Sequence, residues 1–316
     1  MEDLIKRYLS GDRRALARFI SYVEDEVEDV TKLLDKVYYR TGKAYRIGIT
    51  GPPGAGKSTI VDQLTKLYRK HNKTVGIIAV DPTSPFTGGA LLGDRIRMSD
   101  LATDPGVFIR SMATRGSLGG LAQRTHEVAD ILDAFGMDIV LFETVGVGQS
   151  ELDVVEAADT TVVVLVPESG DSIQAMKAGL MEIADIFTIN KSDREGADRV
   201  LVEIQYVLEF NEDSRPWKPT VIQTVANSGQ GIEDLFQTLN EHLAFQERNH
   251  IRIEKQKKRI TNYVRQIVKE NILKEFWQHS QKEKLAYQIK QILDKKRSPY
   301  AVGRELISEF KNFVQS

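Results

Sequence analysis

Hydrophobic and polar residues alternate along the chain with two different periods, which divide it into three zones. The middle zone, about residues 44–246, contains short apolar runs separated by segments of helix length. Apolar runs of this length, bounded by polar or glycine-rich segments, are typical of buried strands. The predicted strands are Tyr45–Thr50, Thr74–Val80, Val107–Ser111, Asp138–Glu143, Thr161–Pro167, Ile186–Asn190 and Thr220–Ala226.

This alternation predicts the fold class and the division of the chain. Strands separated by helices build βαβ units, so we expect an α/β fold with a mostly parallel central sheet flanked by helices. On either side of this zone the apolar residues recur at spacings of three or four, as in amphipathic helices. The predicted parts are an N-terminal helical extension at 1–43, an α/β domain at 44–246 and a C-terminal helical arm at 247–316.

The composition narrows the class of protein. The 316 residues are 41% hydrophobic and 28% charged, the balance of an ordinary globular chain rather than a disordered one. The chain has no cysteine, which excludes disulfide scaffolds, thiolate zinc sites and cysteine nucleophiles. Its apolar runs are far shorter than a bilayer span of about 20 residues, and acidic residues follow Met1 where a signal peptide carries basic ones. We therefore expect a cytoplasmic protein without a transmembrane helix.

Charge is distributed unevenly along a chain whose net charge is −2. From Arg248 to the end there are 17 basic and 7 acidic residues, so the C-terminal arm is basic and the rest of the chain is acidic. The pattern favours a solvated helical face or an electrostatic surface for a partner protein. A nucleic-acid-binding arm is the alternative, and salt-dependent binding to DNA or RNA would distinguish the two.

A phosphate-binding loop directly follows the first predicted strand. Gly51–Thr59 fits the P-loop motif G-x-x-x-x-G-K-[ST] between a strand and a helix. Its glycines let successive N–H groups point at phosphate oxygens, and the helix adds its dipole. Lys57 is expected to neutralise the β and γ phosphates, Ser58 to bind Mg²⁺ and Thr59 to reach the α phosphate. The other expected phosphate contacts are Gly51, Gly54, Ala55 and Gly56.

A second motif predicts which base is bound. The sixth predicted strand ends in Asn190–Asp193, which reads N-K-x-D as in GTP-binding proteins. The Asp193 carboxylate can accept from the N1–H and the 2-amino group of guanine, and adenine has neither donor. Asn190 and Lys191 complete the base-reading segment, and a backbone N–H at Ala226 is expected near guanine O6. The sequence therefore favours GTP over ATP.

Two carboxylates are candidate magnesium ligands. Asp81 ends the second predicted strand, and Asp94 follows in the next segment. Carboxylates at strand ends on the phosphate-loop side of a parallel sheet are well placed for Mg²⁺ or its waters, together with Ser58. The alternative for Asp94 is a helix cap or an ion pair with Arg95 or Arg97.

The fourth predicted strand ends in a candidate switch. Glu143 stands where GTP-binding proteins have the Asp of D-x-x-G, and Gly146 can offer its N–H to the γ phosphate. Val147 occupies the place of the glutamine that orients the attacking water, and it cannot form that hydrogen bond. Gln149 is the possible substitute. The catalytic candidates are thus Lys57, Glu143 and Gln149, with slow intrinsic hydrolysis expected.

Taken together, these motifs closely resemble one family of GTPases. The resemblance is carried by the phosphate loop and by Asp81–Pro85, Gly88–Met98, Phe108–Gly116, Glu143–Glu151 and Asn190–Asp193. These segments are similar to those of the methylmalonyl-CoA mutase-associated GTPases, the MeaB/ArgK/MMAA family. The likeness covers the whole middle zone, and the helical extensions match the family's layout.

The resemblance implies a G-protein chaperone of an adenosylcobalamin-dependent acyl-CoA mutase. Family members gate cofactor loading and protect or reactivate the mutase, and they are typically homodimers joined through their C-terminal helices. The resemblance places Mg²⁺ on Ser58, Asp81 and Asp94, with Glu143 in the switch. Gly170–Lys177 resembles an additional switch loop, in which Asp171 and Lys177 relay the nucleotide state to the mutase.

Two other functions remain as alternatives. Nickel-delivering GTPases share the phosphate-loop sheet but carry Cys and His metal ligands, whereas this chain has no cysteine and five scattered histidines: His71, His126, His242, His250 and His279. A transport-associated kinase would need a base and a pocket for a phosphoryl acceptor, and the sequence marks neither. Inorganic phosphate and GDP as products would identify the GTPase.

Overall fold

The fold is taken from a computed structural model, which describes residues 1–81, 99–113, 120–144, 157–168, 180–210, 216–277 and 282–315. These residues fall into two compact units, Met1–Gln256 and Lys257–Ser316. Among the described residues, no helix has the length and apolar character needed to cross a membrane.

Seven strands of the first unit form one sheet in which every neighbouring pair is parallel. In chain order they are β1 (Tyr45–Thr50), β2 (Val75–Asp81), β3 (Val107–Ala113), β4 (Ile139–Thr144), β5 (Thr160–Leu165), β6 (Ile186–Asn190) and β7 (Thr220–Thr224). Across the sheet the order is β3-β2-β4-β1-β5-β6-β7. The predicted α/β fold with a parallel sheet is therefore confirmed.

Helices cover the sheet on both faces. Among the described residues of the first unit, these helices are α1 (Glu2–Leu9), α2 (Arg13–Glu24), α3 (Val30–Tyr38), α4 (Lys57–Lys70), α5 (Ser99–Ala102), α6 (Gly120–Phe135), α7 (Leu180–Ile183), α8 (Ala197–Phe210) and α9 (Ile232–Arg248). The next helix, α10 (Ile251–Phe276), begins in the first unit.

The apolar runs of the strands are explained by burial on both faces. Successive side chains of a strand point to opposite faces, and in β4 Val140 and Phe142 join the cluster formed with α1, α2, α3 and α6. Ile139 and Leu141 join the opposite cluster, formed with α4 and α9. A strand buried on both sides loses the polar–apolar alternation of a half-exposed strand, which is why the sequence shows continuous apolar runs.

The N-terminal helices belong to the packed core of the first unit. The side chain of Asp12 caps α2 by accepting hydrogen bonds from the N–H groups of Arg14 (2.8 Å) and Ala15 (3.3 Å). The buried Tyr8 hydroxyl of α1 donates to the carbonyl of Ile131 in α6 at 2.5 Å. Because Tyr8 is 1% exposed, this bond satisfies a polar group inside an apolar cluster.

A buried polar cluster lies at the amino-terminal ends of the strands. The Nδ1 atom of His242, on α9, lies 2.8 Å from the hydroxyl of Thr160, the first residue of β5. Burial lowers the pKa of His242 to about 4. The ring is therefore neutral at pH 7, and His242 is a core histidine with its polar partners in place.

The second unit consists of helical segments. It contains the larger part of α10, then α11 (Lys282–Leu293) and α12 (Pro299–Gln315). An ion pair of 2.5 Å between Lys284 and Glu309 joins α11 to α12. The rings of Phe276 and Phe310 meet edge to face with centroids 5.2 Å apart.

Candidate nucleotide-binding site

The phosphate loop has a backbone that requires glycine. It leads from the end of β1 to the start of α4, and φ is +139° at Gly51, +74° at Gly54 and +88° at Gly56. Residues with a side chain rarely adopt such values. At Gly51 there is also no room, since an added Cβ would lie 2.1 Å from the carbonyl oxygen of Val164 in β5. The loop is thus curled and pressed against the neighbouring strand.

Lys57 turns back over this loop. Its side chain is buried, and its Nζ donates to the carbonyl oxygens of Gly51 at 2.8 Å and Pro52 at 2.9 Å. Lys57 is also the first residue of α4, where the helix dipole is positive. A fixed cation, backbone N–H groups and a helix N-terminus therefore occur together, which is the chemistry that binds phosphate groups.

The next residue along α4 contacts the end of β4. The Ser58 hydroxyl donates a hydrogen bond to Oε1 of Glu143, a residue that is 8% exposed. The strand order explains the contact, because β4 pairs with β1 and its carboxyl end lies beside the phosphate loop. The sequence marked both residues separately but did not predict this bond. While its proton points at the carboxylate, the Ser58 oxygen keeps lone pairs for a cation.

The remaining predicted residues around the phosphates are only partly described. Asp81 is the last residue of β2, and the residue before it, Val80, pairs with Thr144 at the end of β4. The end of β2 therefore lies at the same edge of the sheet as Glu143. Thr59 follows Ser58 in the first turn of α4. The other predicted residues of this region, namely Asp94, Gly146, Gln149, Asp171 and Lys177, lie outside the described residues.

Asn190 connects the phosphate loop with the base-reading segment. Its Nδ2 donates to the carbonyl oxygen of Ala55 at 2.8 Å, inside the phosphate loop. Its Oδ1 accepts from the N–H of Ala226 at 3.0 Å and from the hydroxyl of Thr224 at 3.2 Å. Asn190 is 3% exposed, so all these bonds are shielded from water. Sequence reasoning missed this bridging role, although a polar residue ending an apolar strand was a visible signal.

The rest of the base-reading segment forms a turn fixed to β7. Both the backbone N–H and the hydroxyl of Ser192 donate to the carbonyl of Thr224 at 3.1 Å. Lys191 adopts a left-handed conformation, with φ at +58°, and Asp193 is exposed. The turn therefore presents the Asp193 carboxylate to solvent at the carboxyl edge of the sheet. The N–H of Ala226 is engaged by Asn190, and its contact with a guanine base stays a prediction.

Within the described ranges, no three His, Cys, Asp or Glu residues are grouped so that they could hold a metal ion by themselves. The site as a whole combines the curled phosphate loop, a half-buried hydroxyl–carboxylate pair (Ser58 and Glu143) and the turn at Asn190–Asp193. Asn190 joins the two loops.

Comparison with known proteins identifies relatives of this chain. Residues 16–281 match the family model described as methylmalonyl Co-A mutase-associated GTPase MeaB. A Pyrococcus abyssi protein named as a GTPase is 49% identical over 312 residues, covering 98% of this chain and 96% of that protein. The mouse mitochondrial methylmalonic aciduria type A homolog is 34% identical over 326 residues, covering 96% of this chain and 78% of that protein.

A solved structure has the same architecture. The crystal structure of LAO/AO transport system kinase superposes with a TM-score of 0.72 at 26% sequence identity, and the match covers 100% of this chain and 97% of that one.

Proposed function

The chain belongs to the family of methylmalonyl-CoA mutase-associated GTPases, MeaB, and on that premise we propose that it is a GTP-hydrolysing chaperone of an adenosylcobalamin-dependent acyl-CoA mutase. The observation that carries the nucleotide part of the proposal is the bridge formed by Asn190. One buried side chain holds Ala55 of the phosphate loop and Ala226 of the base side. The mutase part is supported by the family description and by the name of the mouse relative.

In this proposal the nucleotide binds along the carboxyl edge of the sheet. The N–H groups of the phosphate loop, from Gly51 to Gly56, and the Lys57 ammonium neutralise the β and γ phosphates. Lys57 then exchanges its present carbonyl partners for phosphate oxygens. Thr59 reaches the α phosphate, and the Asp193 carboxylate accepts from the guanine N1–H and 2-amino group.

Magnesium fits the donor set beside the phosphates. The Ser58 hydroxyl, the Glu143 carboxylate and the end of β2 at Asp81 lie at one edge of the sheet and offer the oxygen ligands that Mg²⁺ prefers. We assign Ser58, Asp81 and Asp94 to the metal, with Glu143 orienting the Ser58 hydroxyl. The ion would neutralise charge on the transferred phosphoryl group.

Hydrolysis is expected to be slow in the isolated protein. Phosphoryl transfer to water needs both charge neutralisation and an oriented water molecule. Lys57 supplies the first, whereas Val147 cannot supply the second. We assign the water-orienting role to Gln149, with Gly146 contacting the γ phosphate, and expect a bound mutase to favour the catalytic positions of both residues.

Binding of the mutase should raise the rate of GTP hydrolysis by about tenfold or more. Supplying a missing catalytic group completely can raise the rate of phosphoryl transfer by ~10³–10⁵-fold. The signal passes through Asp171 and Lys177, so Lys177→Ala should keep GTP binding and basal hydrolysis but lose the acceleration. The measurement is phosphate release with and without purified mutase, for the parent and the variant, with GDP quantified in the same samples.

Three results would contradict this mechanism. They are rapid hydrolysis by the parent alone, full acceleration in Lys177→Ala, and transfer of the phosphoryl group to an amino acid or protein instead of water. The last result would favour a kinase, as in the name of the solved structural relative.

We further propose that the C-terminal arm joins two copies of the chain. Its helix α10 carries exposed apolar residues at helical spacing, including Ile260 (46% exposed), Val264 (51%), Val268 (50%) and Ile272 (52%). A stripe of this kind is stabilised when a partner helix covers it. In such a dimer, the basic side chains of the arm lie on the helix faces that remain exposed to solvent.

The dimer is tested by placing charges on the stripe in the full chain. The parent is expected to sediment as a dimer, and Ile260→Glu combined with Val264→Glu should give a monomer that still binds nucleotide. Val202→Glu is the control for adding a glutamate to an exposed apolar position elsewhere, because Val202 lies on α8 and is 63% exposed. A dimer that persists in the double variant would exclude the arm as the interface.

A further inference from the structure

The turn that carries Asp193 lies against the segment that follows β5. Strand β6 pairs with β5 on one side and with β7 on the other, so the turn after β6 stands between the ends of these two strands. On the β5 side, an added Cβ at Gly196 would lie 3.8 Å from the side chain of Pro167. The turn therefore has neighbours that lie outside the base-reading motif itself.

An ion pair joins the turn to this segment. Arg194, the residue directly after Asp193, donates from Nη1 to Oε1 of Glu168, which lies shortly after the end of β5. The hydrogen bond from Arg194 lowers the pKa of Glu168, so its carboxylate is charged at pH 7. Both side chains are 52% exposed, and exposed pairs of this kind add little to stability. The larger consequence of the pair is its effect on the charges beside it.

The backbone of the turn is held by other bonds. The N–H and the hydroxyl of Ser192 both donate to the carbonyl of Thr224 at 3.1 Å. The N–H of Arg194 donates to the carbonyl of Lys191 at 3.0 Å and closes the turn. None of these three bonds uses the side chain of Arg194 or of Glu168. The ion pair is therefore not needed to shape the turn.

Asp193 has a cation on either side of it in the sequence. Lys191 precedes it by two positions, and Arg194 follows it directly. Asp193 is exposed, and within the described part of the chain its carboxylate has no ion-pair or hydrogen-bond partner. The guanidinium next to it is instead bound by Glu168. Glu168 thus determines which carboxylate Arg194 pairs with.

A free Arg194 would compete with guanine for the Asp193 carboxylate. Guanine presents its N1–H and 2-amino group as two N–H donors side by side. A guanidinium presents the same arrangement, two parallel N–H donors that match both oxygens of a carboxylate. The two groups cannot occupy the carboxylate together, so a base would first have to displace Arg194.

We propose that Glu168 is a positioning residue for guanine recognition, which holds the Arg194 guanidinium away from Asp193 and leaves that carboxylate free to accept from the base. This role rests on the proposed function, because it requires Asp193 to read a guanine base. Glu168 lies outside the motifs that predict nucleotide binding, and only the pairing of β5 with β6 brings it to the turn.

The test compares the affinities for GTP and ATP. Both nucleotides carry the same triphosphate, so a change of charge at position 168 acts equally on their phosphates, whereas adenine has neither donor that Asp193 accepts. Glu168→Gln frees Arg194 to pair with Asp193. The preference for GTP over ATP should then fall by about two- to fivefold, the effect of one exposed ion pair. Competition against a fluorescent nucleotide gives both affinities.

Arg194→Gln is the second variant, and it separates this role from a structural one. Combined with Glu168→Gln it removes the competing guanidinium, so the preference for GTP should return to that of the parent. Arg194→Gln alone should also keep that preference. If the ion pair shaped the turn instead, both single variants would lose preference and the double variant would not recover it.

Glu203→Gln controls for the loss of a surface ion pair, because Glu203 pairs with Arg199 at 2.9 Å on α8. It should show the preference of the parent. Parent-like preference in Glu168→Gln, or no recovery in the double variant, would overturn the role of Glu168 alone. A parent without preference for GTP, or Asp193→Asn that retains it, would overturn guanine reading by Asp193 as well.

Discussion

Gly51→Ala should lower the free energy of unfolding by about 3 kcal/mol or more, the largest stability effect that we expect in the phosphate loop. Two costs act together. The backbone φ of +139° is a conformation that residues with a side chain rarely adopt. In addition, the new Cβ would lie 2.1 Å from a carbonyl oxygen of β5, where only movement of backbone could make room. Urea unfolding of the nucleotide-free protein measures the loss.

Gly54→Ala is the matched control, because it lies in the same loop and also has a positive φ, at +74°. An added Cβ there would meet nothing within 4 Å. Only the conformational cost remains, about 1 kcal/mol. Equal losses in the two variants would show that the close approach of Gly51 to Val164 does not decide the stability of the loop.

Asp193→Asn should weaken GTP binding by about 1.5–3 kcal/mol, or roughly 10- to 150-fold. The substitution replaces an acceptor by a donor where guanine presents its N1–H and 2-amino group. The same amide suits the C2 carbonyl of xanthine, so the variant should gain affinity for xanthosine triphosphate. Competition against a fluorescent nucleotide would give both affinities.

Glu195→Gln serves as the control for this exchange, since Glu195 is an exposed carboxylate two residues further along the chain. It should bind GTP like the parent. If Asp193→Asn kept the parent's preference for GTP over xanthosine triphosphate, the turn at Asn190–Asp193 would not read the base.

The strands and the phosphate loop were predictable because each is determined by the residues of its own short segment. Ile139–Thr144 and Ile186–Asn190 are buried on both faces, and such burial leaves an apolar run that needs no knowledge of the partner strand. Likewise Gly51, Gly54 and Gly56 are required by backbone angles within the loop itself. The ends of the strands were less predictable. The predicted second strand stops at Val80 because a polar residue such as Asp81 is typical of a loop, whereas β2 continues through Asp81.

What could not be predicted depends on contacts between distant residues. The bond from Ser58 to Glu143 joins positions 85 residues apart, and it follows from the pairing of β1 with β4, which no local pattern specifies. The bridge from Asn190 to Ala55 spans 135 residues. A cavity of about 620 Å³ beside Tyr68 is likewise formed by helices and strands from separate parts of the chain.

The amide of Asn190 also fixes the distance between the phosphate loop and the loop that follows β7. Its Nδ2 faces a carbonyl and its Oδ1 faces an N–H and a hydroxyl, so rotating the amide by half a turn would place like groups against each other. An added Cβ at Gly56 would lie 2.2 Å from the same Nδ2, which shows how little slack the contact has. The phosphate loop and the base-side loop are therefore held at one fixed spacing. If a nucleotide binds to both loops, it has to match that spacing, and we expect analogues with a shorter or longer phosphate chain to bind more weakly even when both of their ends are correct.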